Sequence, residues 1–153
     1  MALLATTAET ADYVHTSDSD VSIDLPDIVL PILDADGSAT EDTETIAAPP
    51  QWIPVGRVAE LGGSVALGAT VVSVRPLNGA DYYRCQAMMP PLEDPTSEER
   101  ARYGEALEAI CNAGVADVHG FDGGKSQLVR NLRADHLDAL ASVILRASRG
   151  RSV

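Results

Sequence analysis

The chain has 153 residues, enough for one ordinary domain and a tail. It carries 23 acidic and 11 basic residues, a formal net charge of −12, and the acids are unevenly placed. Residues 1–50 hold 11 acids and no Lys or Arg, whereas residues 51–153 are almost balanced at −1. This pattern excludes a uniformly acidic globule. It also disfavours binding of the N-terminal third to nucleic acid or anionic lipid, because such binding needs clustered Lys and Arg.

The first residues, Met1 to Thr6, lack the basic start of a signal peptide. The longest uncharged stretch of the rest, residues 61–74, has 14 residues and is too short to cross a bilayer. We therefore expect a soluble protein made in a cytoplasm, with no membrane partner.

Residues 1–50 are predicted to form an extended acidic arm that ends in a stiff Pro-rich linker. Apolar and polar residues alternate over 20–25, which favours a short strand. An apolar run, Ile28 to Leu33, follows between two prolines, and proline forbids a helix there. The segment Asp34 to Gly37 is typical of a turn. Such an arm is expected to become ordered by lying along a neighbouring protein.

Residues 51–153 are predicted to form a compact α+β body that begins near Trp52. Val55–Leu61 and Ser64–Arg75 are interpreted as two strands joined by a Gly62-Gly63 hairpin turn. The second strand is centred on its valines, Val71, Val72 and Val74, and Gly68 indicates a bulge or break within it.

After Pro76 the apolar period changes from that of a strand to that of a helix. Asn78-Gly79 is expected to open a short helix, and Thr96 to Glu99 forms the capping box of a longer one that Gly114 would end in a left-handed conformation. A short helix near Leu128 and a last helix capped by Asp135 complete the prediction. The fold class is α+β: a small β-hairpin or sheet followed by three or four helices, with the acidic arm in front.

No catalytic, cofactor or metal site is predicted. The run His119 to Ser126 ends like a phosphate-binding loop but lacks its first glycine, and Asp34 with Asp36 opens a calcium loop that lacks the later ligands. Two Cys and two His suit a zinc site in number, but no two are closely spaced as in a zinc finger: Cys85, Cys111, His119 and His136. Cys111 also falls on an apolar helix stripe, which favours packing over nucleophilic chemistry. We expect the protein not to be an enzyme.

The basic residues are concentrated late in the chain. Residues 124–153 contain six bases and two acids, and ten of the eleven bases in the chain are Arg, which pairs bidentately with carboxylates. The acidic arm and this region, with Arg146 and Arg149, are complementary in charge. They are therefore expected to pair head-to-tail between subunits, or to meet opposite charges on another protein.

The run Ala69 to Tyr83 resembles a pattern in small morphogenesis proteins of long-tailed bacteriophages, in which a strand ending in Arg-x-Leu precedes a turn and a short helix. A segment of the type Val-x-x-Gly-Phe and a late helix follow in that family, and residues 115–121 and 135–148 occupy the corresponding places. The resemblance covers about residues 65–148. It implies a non-enzymatic virion or assembly protein that binds repeated protein subunits.

From these observations we expect a bacteriophage structural or assembly protein of the tail, neck or capsid surface, located in the virion. Its partners would be other phage structural proteins and itself. The predicted anchors of contact are Ile28, Leu30, Ile32 and Trp52, together with Arg146 and Arg149. A tail-assembly chaperone absent from the mature virion, or a cytoplasmic adaptor with a basic partner, are the alternatives.

Overall fold

The computed structural model describes residues 10–90 and 93–149. The strands are β1 (Ala11–His15), β2 (Val21–Ser22), β3 (Ile28–Leu33), β4 (Ala39–Ile46), β5 (Trp52–Pro54), β6 (Ser64–Val65), β7 (Val71–Val74) and β8 (Val115–His119). The helices are α1 (Val55–Glu60), α2 (Gly79–Met88), α3 (Ser97–Gly114), α4 (Lys125–Asn131) and α5 (Ala134–Ser148). The predicted α+β class is confirmed.

A four-stranded antiparallel sheet lies at the centre of the body, in the order β5-β1-β7-β8. Successive side chains point to opposite faces of a strand, so Tyr13 and Val14 enter two different apolar clusters. The helices α2 to α5 contribute to the larger cluster, and α1 with β2 contributes to the smaller one. The sheet therefore separates two cores, and both of its faces are covered.

Residues 11–15 belong to the body and not to the predicted N-terminal arm. Tyr13 and Val14 of β1 are 4% and 0% exposed, and β1 pairs with β5 on one side and β7 on the other. Because β1 is an inner strand, the body does not begin near residue 51 as predicted. Its first described strand lies inside the acidic third, and residues 1–9 of the predicted arm lie outside the described residues.

The predicted strand over Val55–Leu61 is wrong, because residues 55–60 form α1. Val55, Val58 and Leu61 are spaced three residues apart, which places them on one side of a helix. All three pack into the smaller core, with Val58 only 1% exposed.

The later helices begin largely where the sequence predicts. The Asn78 side chain accepts from the Asp81 amide at the start of α2. The capping box of α3 is complete, with the Thr96 hydroxyl accepting from the Glu99 amide and the Glu99 carboxylate accepting from the Thr96 amide. Asp135 does not cap α5: the helix begins at Ala134, and its N-cap is Arg133, two residues before the predicted one.

Gly114 has a different role from the predicted one. Its φ angle is not positive, and the chain passes from Gly114 straight into β8 at Val115. A Cβ atom on Gly114 would lie 2.4 Å from Cγ2 of Ile144. The glycine therefore permits close packing of α3 against α5.

Candidate interaction surface

The strands β3 and β4 form a separate two-stranded hairpin, which we call the hairpin (residues 28–46). Every residue from 28 to 46 is exposed. Among the described helices and strands, the only extensive contacts of β3 and β4 are with each other. At about 3.3 Å per residue the longer strand reaches about 26 Å, so the hairpin extends well away from the body.

A tight turn closes the hairpin at residues 34–38. The Asp34 carboxylate accepts from the Asp36 and Ser38 amides at 2.9 and 3.0 Å, and the Ser38 carbonyl accepts from the Asp34 amide. Gly37 has φ of +80°, a conformation that glycine adopts without strain. The predicted turn is confirmed. It closes the hairpin next to the Leu33–Ala39 pair, and the register of the two strands shifts between Pro31 and Leu33.

One face of the hairpin carries a continuous apolar stripe. Ile28, Leu30 and Ile32 alternate along β3, and Ile46 stands directly opposite Ile28. These four side chains are between 37% and 43% exposed. The other face of β3 carries Val29 and Leu33, whose side chains are 61% and 58% exposed. Isolated two-stranded hairpins are marginally stable in water, and an exposed apolar surface of this kind is typical of protein–protein contact sites.

The hairpin is also strongly acidic. Residues 27–46 contain six acids and no base: Asp27, Asp34, Asp36, Glu41, Asp42 and Glu44. Glu44 stands opposite Leu30 and therefore shares its face. The partner of the apolar stripe is thus expected to carry positive charge.

The hairpin is anchored at the end of the sheet where β1 finishes. The Thr16 amide donates to the Gln51 carbonyl at 2.9 Å, and the Gln51 amide donates to the Thr16 hydroxyl at 3.0 Å. An open groove of about 710 Å³ lies beside this junction and is lined by residues of both the hairpin root and the body, among them Leu25, Ile28 and Arg57.

Trp52 supports the junction from inside the body. It is 6% exposed, and its Nε1 donates to the His136 carbonyl in the first turn of α5 at 3.0 Å. The His15 ring packs edge-on against Trp52 and lies 4.0 Å from the His136 ring. Burial and the neighbouring His136 lower the pKa of His15 to about 4. The prediction that Trp52 contacts a partner is wrong, because this side chain belongs to the core.

The opposite end of the body is basic, and we call Arg75, Arg146 and Arg149 the arginine pole. The Leu77 amide donates to the Ser148 hydroxyl at 2.8 Å, which brings the segment after β7 to the end of α5. Arg75 lies two residues before Leu77, and Arg149 follows Ser148. All three arginines are exposed, and none of them forms an ion pair within residues 10–90 and 93–149.

The residues considered for catalysis or metal binding are not brought together. Cys85 and Cys111 are free and buried, and burial raises the pKa of both thiols, that of Cys111 to about 12. His119 is exposed at the end of β8, whereas Cys111 is buried on the inner face of α3. Within the part of the chain that the structure describes, no group of three or more potential metal ligands is found.

Of the six predicted contact residues, the structure places five on exposed surfaces. Ile28, Leu30 and Ile32 form the apolar stripe, and Arg146 and Arg149 belong to the arginine pole. The sequence interpretation missed Ile46, which completes the stripe from β4, and Arg75, which completes the pole. Neither has a local signal, since each joins its surface only through pairing with a distant segment.

Comparison with known proteins adds no relative. No family model, curated protein or solved structure matches the chain. No helix among the described residues is both long and apolar enough to pass through a bilayer.

Proposed function

We propose that the chain is a non-enzymatic structural or assembly protein of a bacteriophage particle, in the tail, neck or capsid surface, and that it acts through protein–protein contacts. The observation that carries this proposal is the hairpin. Its apolar stripe is exposed, and it has no extensive contact with another described element. Its outer strand edges pair with no other described strand and could therefore pair with a neighbouring chain.

The chemistry of the remaining residues supports a contact role over a catalytic one. Both thiols are buried and held in the protonated form. His15, the histidine with the lowered pKa, is packed against Trp52 in the core. The phage setting rests on the resemblance of residues 65–148 to small phage morphogenesis proteins.

Mass spectrometry of particles purified from the bacterium that carries the gene tests the proposal. We expect the chain to be present in particles at a fixed copy number. Absence from particles that are otherwise complete, with recovery of the chain on a host protein, would contradict a virion role. Recovery on tail proteins from the lysate alone would identify an assembly chaperone instead.

A matched pair of variants tests the role of the hairpin in the same assay. Leu30→Ser with Ile32→Ser removes the centre of the apolar stripe and should deplete the chain from particles by tenfold or more. Leu67→Ser changes a fully exposed leucine of the body and should leave incorporation unchanged. Equal incorporation of both variants would show that the stripe is not the contact.

A further inference from the structure

We infer that the hairpin of one copy docks on the arginine pole of a second copy, so that the protein associates head-to-tail. This inference rests on the proposed contact role of the hairpin and adds the identity of its partner. Three observations carry it: the charge of the two surfaces, their places in the fold, and the apolar character of the hairpin.

The charges select the partner. The hairpin (residues 28–46) has five acids and no base and therefore repels another hairpin, so the apolar stripes of two copies are not expected to pack against each other. The arginine pole offers three exposed guanidinium groups without ion pairs among the described residues. Arg forms bidentate pairs with carboxylates, and Glu44 lies on the same face as Leu30.

The two surfaces lie at opposite ends of one helix. The first turn of α5 accepts a hydrogen bond from Trp52, and Trp52 lies beside the junction from which the hairpin extends. The last turn of α5 accepts a hydrogen bond from the Leu77 amide at the arginine pole. A helix of this length extends about 22 Å, and β3 and β4 make no extensive contact with α5 or α2 of their own chain, so the contact is expected to form between copies.

An exposed aromatic side chain lies on the helix that begins next to the pole. Tyr83 is 70% exposed on α2, the helix that begins at this end of the body, and its ring packs edge-on against Tyr82. Tyr and Arg are enriched at the centres of protein interfaces. Because the hairpin and the pole are different surfaces, each added copy leaves one of each free, and the assembly grows into a ring or a filament.

A charge-swap experiment on the purified full-length chain tests the inference by sedimentation velocity over a range of concentrations. The wild type should form species larger than a dimer, and raising the salt concentration should weaken them. Asp42→Arg with Glu44→Arg, and separately Arg146→Glu with Arg149→Glu, should each raise the concentration needed for association by tenfold or more.

Mixing these two variants should restore association, because the positive groups introduced at positions 42 and 44 of one variant then meet the negative groups introduced at positions 146 and 149 of the other, and the unchanged hairpin meets the unchanged pole. A chain that carries all four substitutions should associate by itself. Two controls make the same changes in net charge at exposed sites outside the hairpin and the pole: Glu93→Arg with Glu105→Arg, and Arg100→Glu with Arg102→Glu. Both should associate like the wild type.

A wild type that stays monomeric at all concentrations, or a mixture that associates no better than its components, would overturn head-to-tail pairing. Those results would leave the proposed function intact, since the hairpin could still contact a different protein in the particle. The proposed function fails on the particle assay instead, which does not depend on self-association.

Discussion

Two strands from the same acidic third of the chain have opposite fates. β1 lies between two partners at the centre of the sheet, and two of its side chains are less than 5% exposed. Among the described residues β3 pairs only with β4, and all six of its residues are exposed although five of them are large and apolar and the sixth is Pro. The more apolar of the two strands is the exposed one, so burial depends on which segments have partners elsewhere in the chain.

The difference predicts that the body determines the stability of the fold and that the hairpin contributes little to it. The following substitutions test this division. Each substitution at a structurally important position is compared with the same substitution at an exposed or uncrowded position.

The largest effect is expected for Ile144→Ala, because this side chain is 0% exposed between α5 and α3. Loss of its packing should lower the free energy of unfolding by about 2–5 kcal/mol. The same change at Ile32, which is 43% exposed, should cost less than about 0.5 kcal/mol. Urea denaturation followed by circular dichroism measures both. Comparable losses at the two sites would mean that the hairpin is part of the cooperative core.

Gly114→Ala is expected to destabilise the body by about 1–3 kcal/mol, since the new Cβ would meet three atoms of Ile144 within 3 Å. Gly104→Ala is the control in the same helix, where nothing lies within 4 Å of the added Cβ. It should stabilise the protein by about 0.4–1 kcal/mol. Thermal unfolding should therefore move in opposite directions, and a rise for both would show that α3 and α5 are less closely packed.

The pH dependence of stability tests the junction between body and hairpin. The pKa of His15 is about 4 in the folded chain and 6.5 ordinarily, so between these values the unfolded chain binds more protons. The stability contributed by neutral His15 is present above pH 6.5 and is lost as the pH falls toward 4. Allowing for solvent near the ring, we expect a loss of about 1–2 kcal/mol.

His15→Asn keeps an acceptor for the Ser17 hydroxyl and amide and should flatten this part of the pH profile. His119→Asn changes an exposed histidine and should leave the slope as it is. An unchanged slope in the His15 variant would assign the pH dependence to other groups.

The smallest effect concerns hydroxyl groups. Thr96→Ala removes the cap of α3 and should cost about 1 kcal/mol. Thr40 donates to the Ile32 carbonyl within the exposed hairpin, and Thr40→Ala should change the urea midpoint hardly at all. If Thr40→Ala costs as much as Thr96→Ala, local hydrogen bonds in the hairpin contribute to global stability.

The features that the sequence predicted well depend on neighbouring residues. The capping box at Thr96, the turn at Asp34 and the start of α2 at Asn78 each need only three or four consecutive residues. The strand centre at Val71–Val74 and the exposed stripe on β3 follow from alternation and from prolines. These are short-range properties that residue types and spacing encode directly.

The predictions that failed involve long-range contacts. Trp52 looked like an exposed anchor because a lone aromatic after a Pro-rich linker has no local sign of burial, yet its indole bonds to a backbone carbonyl 84 residues away. Residues 55–60 read as a strand from their valines, and the core formed with β1 and β2 selected the helix. Gly114 is predicted to end α3 in a left-handed conformation, whereas close packing against Ile144 is what requires a glycine there.

The sequence by itself determined that the chain is α+β, that its acids are concentrated in the first third, and that an apolar strand lies among them. Only the tertiary structure decided that part of this third is the centre of the sheet and another part a free hairpin. It also set the hairpin and the arginine pole at opposite ends of α5. The reason is physical. Charge and periodicity are properties of single segments, whereas the burial of a segment and its position in the fold depend on which distant segments pair with it.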